Sequence, residues 1–215
     1  MAEPTALALN VPLPHMRDDG AARVQLGRIE LVLERARGGH SLLWSDGRES
    51  RRYVLGLSDH GRLCIELRAP RMPVHVVPRE VLTIVPGARL RGYVTVPLVP
   101  TLVWRDLGNA PTVLLELHPK ELRGCWDEAS GHSLRCSASW LVRFPFRTGD
   151  PQVVVPLRLH NASREPVCPG HLPLQLHDRD LVAMRGSIVV RPQRITWPTV
   201  DGASPADAPC KVEQA

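Results

Sequence analysis

Apolar and polar residues alternate with a period of two along much of this chain. Arg28-Ile-Glu-Leu-Val-Leu-Glu34, Arg62-Leu-Cys-Ile-Glu-Leu-Arg68, Arg89-Leu-Arg-Gly-Tyr-Val-Thr-Val96 and Val153-Val-Val-Pro-Leu-Arg-Leu-His160 carry most of their apolar side chains on one face and their charges on the other. Segments of this kind predict β-strands with one wet face and one face in a core, and glycine, proline or aspartate turns bound each of them. The 21 prolines are spread through the chain, and they oppose long helices because each removes a backbone donor and restricts the residue before it. One short helix fits the pattern, with Asp178 or Asp180 as its cap, Leu181 to Arg185 as its body and Gly186 as its stop, and a loop covering one sheet edge fits it equally well. Many short strands without alternating helices predict an all-β fold, an antiparallel β-sandwich or a partly open barrel.

Composition then divides the chain. Residues 1–20 read as a flexible N-terminal segment, although Leu7 to Leu13 has enough apolar character to dock as an edge strand. Residues 198–215 are small, polar and proline-rich, so they bury too little to offset the entropy of ordering and read as a disordered tail. The expected folded body is 21–197, with a sub-boundary near 148–152 where Thr-Gly-Asp-Pro makes a strong turn. A chain of 215 residues that is 43% apolar can bury a sizeable core. Within the body, Pro156-Leu-Arg-Leu-His-Asn161 recurs as Pro173-Leu-Gln-Leu-His-Asp178, which predicts two similar strands joined by a long loop.

Charge changes the picture less than its size suggests. The net charge is +5, which ordinarily points to nucleic acid or an acidic surface. Nearly all of it is arginine, and Lys120 and Lys211 are the only lysines. That bias resembles codon usage more than selection for phosphate contact. A sequence-independent nucleic-acid binder using Arg48, Arg51, Arg52, Arg89 and Arg91 with Arg143-Phe-Pro-Phe-Arg147 stands only as an alternative. No run approaches the roughly 20 apolar residues of a membrane span, and Met1-Ala-Glu-Pro4 lacks the basic start of a signal peptide. The expected compartment is therefore the cytoplasm, where the five cysteines remain thiols and Cys125 and Cys136 face each other across a hairpin unbridged.

The search for reaction chemistry yields little. The sequence has no Gly-x-Ser-x-Gly elbow, no Gly-x-Gly-x-x-Gly and no Walker loop. Cys168-Pro-Gly-His171 with His160 and His177 is the best local set of metal-ligating types, and it lacks the close Cys-x-x-Cys pairs of structural zinc. The expectation is no metal, no cofactor and no catalytic residue. Asn161-Ala-Ser163 fits a glycosylation acceptor that a cytoplasmic chain would never present.

What remains is a recurrence. Trp44-Ser-Asp-Gly47, Trp104-Arg-Asp-Leu-Gly108 and Trp126-Asp-Glu-Ala-Ser-Gly131 each pair a tryptophan with an acidic, glycine-closed turn. An uninterrupted meander would put all three at one end of a sheet. Trp44, Asp46, Trp104, Asp106, Trp126, Asp127 and Glu128 are thus the candidate binding residues, the rings for stacking and the carboxylates as acceptors. The same rings serve equally as covers for one end of the core. The function expected from all this is a non-catalytic cytoplasmic scaffold, adaptor or accessory subunit, acting on an unidentified protein partner or on itself. A ligand-binding or enzymatic protein using the tryptophan turns is the alternative.

Overall fold

The computed structural model describes residues 7–13, 20–56, 61–106, 110–127, 131–146, 151–184, 186–198 and 211–214. These residues are almost entirely strand, and the only helical turn among them is a 3-10 turn at Asp178–Asp180. The alternating segments become the long strands. In the first sheet β1 (Leu7–Asn10) pairs with β6 (Gly61–Arg68), then β9 (Val99–Asp106) and β10 (Thr112–Glu116) follow, all antiparallel. A second sheet is an antiparallel meander of β2 (Ala22–Leu26), β3 (Ile29–Ala36), β4 (Gly39–Ser45) and β5 (Ser50–Leu55).

The other two sheets mix directions. In the third, β11 (Arg123–Asp127) pairs antiparallel with β12 (Gly131–Ala138), β12 runs parallel to β7 (Val74–Pro78), and β14 (Leu172–Leu174) closes the far side of β7. The fourth is built around β13 (Gln152–Asn161). One edge of β13 pairs antiparallel with β8 (Arg89–Pro97) along its whole length. Its other edge is shared, parallel in both cases, by β16 (Ser187–Val189) and then β17 (Gln193–Trp197). Outside them lie β15 (Val182–Met184) and β18 (Lys211–Gln214). Alternation fixes which face is buried but carries no information on strand direction, so the parallel pairs are a property of the topology alone.

One buried apolar cluster runs through all four sheets, with Leu33 and Leu42, Ile65 and Leu102, Val76 and Leu134, and Val155, Leu157 and Ile195 among its members. Its continuity explains the behaviour of Pro97 to Pro100. β8 belongs to the fourth sheet and β9 to the first, with only Leu98 between them. The prolines therefore bend the chain from one sheet into another, and a meander count through this point fails. Val153, Val154 and Val155 are all buried, so the first half of β13 is covered on both faces. Only its second half keeps a wet side.

Three expectations change. The helix placed at Leu181 to Arg185 is instead strand β15, turning through Gly186 (φ 81°) into β16; the 3-10 turn ends at an extended Leu181, and pairing with β16 supplies the backbone partners that a helix would have had. The two Pro-Leu-x-Leu-His copies are not similar strands, because the first fills the second half of β13 while only Pro173 and Leu174 of the second are strand, in β14 of another sheet. Lys211–Gln214, inside the stretch read as a tail, adds to β17 as an edge strand, whereas 199–210 lie outside the described residues. Residues 147–150, at the expected sub-boundary, lie outside them too.

Asn161 anchors the corner after β13. Its amide nitrogen donates to the carbonyls of Ile84 at 2.8 Å and Glu165 at 2.7 Å, while its Oδ1 accepts from the Ser163 amide at 2.9 Å and hydroxyl at 2.6 Å. The side chain is fully buried. Asn-Ala-Ser here is a hydrogen-bonded corner and its amide is closed to modification in the folded chain.

Candidate functional site: the Trp44 recess

The first of the acidic turns joins β4 to β5. Register pairs Ser45 with Ser50, which leaves Asp46-Gly47-Arg48-Glu49 to reverse the chain. Gly47 adopts φ 81°, a left-handed conformation that glycine alone enters without steric penalty. Asp46 Oδ1 accepts the amide hydrogens of Arg48 at 2.9 Å and Glu49 at 2.8 Å, the self-capping that suits aspartate to turns. Those bonds from Glu49 and Arg48, with the Lys120 ammonium added, outweigh desolvation and hold the carboxyl below its ordinary value of 3.8. Lys120 Nζ lies 3.4 Å from Asp46 and 3.2 Å from Glu49, clamping the segment after β10 onto this turn.

The clamp closes one side of a recess of about 100 Å3. Trp44 and Ile29 give it apolar surface, and Pro97, Pro119 and Pro151 come from three distant parts of the chain to form its walls. Arg28, Arg48 and Lys120 bring positive charge, with Asp46 and Glu121 beside them. Proline's fixed φ makes such walls stiff before any ligand arrives. Trp44 is 6% exposed and belongs to the core, yet its indole Nε1–H is fully buried with no hydrogen-bond acceptor among the described residues. Buried donors are almost always paired, because leaving one unpaired costs about 1–3 kcal/mol. The N–H is thus enclosed, and what Trp44 offers the recess is ring carbon.

The three tryptophans sit on strands of three different sheets. Trp44 is in the second sheet, Trp104 in the first and Trp126 in the third. Trp104 is half-buried against the core, and its ring covers Gly61, where a Cβ would collide with the indole. Asp106 stands opposite Gly61 in register. Trp126 pairs with His132 and Asp127 with Gly131 across the β11–β12 hairpin; Glu128 lies outside the described residues. Trp104 does not line the recess, and of the sequence candidates whose side chains are described, Trp44 and Asp46 do.

Sequence reasoning missed Arg28, Lys120 and the three prolines, and gave Arg48 only to the nucleic-acid alternative. One signal for them was available: Lys120 is one of only two lysines in an arginine-biased chain.

The histidines and cysteines also disperse. His171 stacks on His75 with ring centroids 4.5 Å apart, Cys168 Sγ lies 3.5 Å from the Thr83 hydroxyl, and His160 sits in β13 of another sheet. Among the described residues no three His, Cys, Asp or Glu side chains are placed to hold a metal. In the third sheet Cys125 faces Ser133, with 2.9 Å between Sγ and Oγ, rather than Cys136. Cys136 is buried, and burial pushes its thiol up to about 11, which removes the thiolate a nucleophile needs. No protein-family model, curated protein or solved structure matches this chain.

Proposed function

We propose that this chain is a non-catalytic cytoplasmic β-protein that works through contact with a protein partner, as a scaffold or accessory subunit, and that the Trp44 recess is the point of contact. The recess itself carries the reading, since its apolar floor of Trp44 and Ile29 and its exposed Arg48 offer a partner's side chain a place to dock. Size favours a side chain over a free metabolite. The recess holds about 100 Å3, well below the roughly 300–1,000 Å3 of small-molecule pockets. Arg48, exposed on its rim, favours an anionic group. The proline walls lower the entropy lost on docking. Unbridged Cys64, Cys125, Cys136 and Cys168 agree with a reducing compartment, and none of the described helices is long and apolar enough to cross a membrane.

A photo-crosslinking residue at Arg48, on the rim, tests the proposal in the cells that make the protein. The expected outcome is a discrete adduct from position 48 and none from Val85, an exposed control outside the recess. An adduct of twice the chain mass identifies the partner as a second copy. No adduct at position 48, or identical adducts from both positions, contradicts the proposal.

A further inference from the structure

The wet half of the fourth sheet carries a second candidate, unconnected with the Trp44 recess. Register places Arg91, Arg158 and Arg194 directly opposite one another on three neighbouring strands. Two residues along the strands, Arg89, His160 and Thr196 form the next rung. Residues two apart on a strand share a face, so all six project from the same side, as the exposure of the four arginines shows. Between them lies a recess of about 240 Å3, bordered on its outer side by Glu213 of β18.

Like charges directly opposite in a sheet destabilise it. None of these four arginines makes an ion pair with a described side chain, although guanidiniums elsewhere, such as Arg68, Arg71 and Arg105, each sit on a glutamate. Four guanidiniums facing one bordering carboxylate thus form a concave cationic surface that an oxyanion of high charge density would complete. Guanidiniums match phosphate oxygens with paired donors, and the Thr196 hydroxyl adds a neutral donor. No Phe, Tyr or Trp lines this recess, and His160 is its single ring, so it lacks the row of stacking platforms by which single-stranded nucleic acid is held. We propose that the β8–β13–β17 face is a binding site for a compact oligophosphate, either free or borne on a small metabolite.

The test is isothermal titration calorimetry of the full chain at low salt with inorganic tripolyphosphate, pyrophosphate and orthophosphate, beside a single-stranded oligonucleotide. Tripolyphosphate is expected to bind one to one, most tightly of the phosphates, and to raise the melting temperature. Arg158→Gln and Arg194→Gln, both at exposed positions, are each expected to weaken it at least about tenfold by removing charge-assisted bonds, whereas Arg51→Gln in β5 leaves it unchanged. Without phosphate, Arg158→Gln should melt higher than wild type at low salt, because a repulsion has gone, and this difference should vanish at high salt. Absence of binding, equal binding by wild type and both variants, or an oligonucleotide affinity that grows with length and exceeds that of tripolyphosphate would each overturn the proposal.

Discussion

Glu66 in β6 is 2% exposed, with Arg68 Nη2 at 2.7 Å and Arg105 Nη2 at 2.6 Å from its two oxygens. Burial alone would raise its pKa, but the bonds and charges of Arg68 and Arg105 outweigh it and hold the carboxyl below the ordinary 4.5. A depressed folded pKa means stability that is present above 4.5 and is lost as pH falls through the folded value. Asp46 acts in the same sense below 3.8. Urea unfolding between pH 7 and pH 3 should therefore show stability falling once pH drops below these values, and Glu66→Gln should flatten that fall. The same substitution should cost about 1–3 kcal/mol at pH 7, less than a fully buried pair because Arg105 remains half exposed. At Trp44, replacement by alanine should cost about 3–5 kcal/mol, as deletion of a buried large aromatic does. Phenylalanine, which keeps most of the volume and discards the unpaired donor, should cost less than about 2 kcal/mol. Equilibrium unfolding of both variants checks the pair.

At the scale of elements, legibility followed length. β3, β6, β8 and β13 run for eight to ten residues, long enough for the two-residue period to show. β14 and β15 have three residues and β18 has four, too few for any period, so one was read as part of a helix and another as tail. Their pairing partners, which no local pattern encodes, decide their conformation. Close packing between elements is equally hidden. A Cβ on Gly92 of β8 would run into the Trp140 ring and lie 2.8 Å from the Leu141 carbonyl oxygen, whereas one on Gly124 of β11 meets nothing within 4 Å. Gly92→Ala should destabilise by about 1–3 kcal/mol through overpacking, and Gly124→Ala should be close to neutral. Thermal melts of the two variants give the comparison.

For the whole molecule, the turn at one side of the Trp44 recess was readable from sequence, and most of its lining was not. Trp44 and Asp46 lie within one turn, and the turn chemistry announces itself. The remaining walls come from Pro97, Pro119 to Glu121 and Pro151, which only the meeting of separate segments around the common core brings together. The same holds for the arginine rungs of β8, β13 and β17, whose members are scattered in sequence and aligned only by strand register. The single meander behind the three-tryptophan surface is not what the chain forms. The chain changes sheets at Leu98. The measurement that bears most directly on the contact proposal is quantitative affinity capture from the cells that make the protein, with wild type and Arg48→Glu, a change at the exposed rim of the recess, matched for folding by circular dichroism. The account predicts a partner retained by wild type and lost by the variant. Identical sets of retained proteins would contradict it.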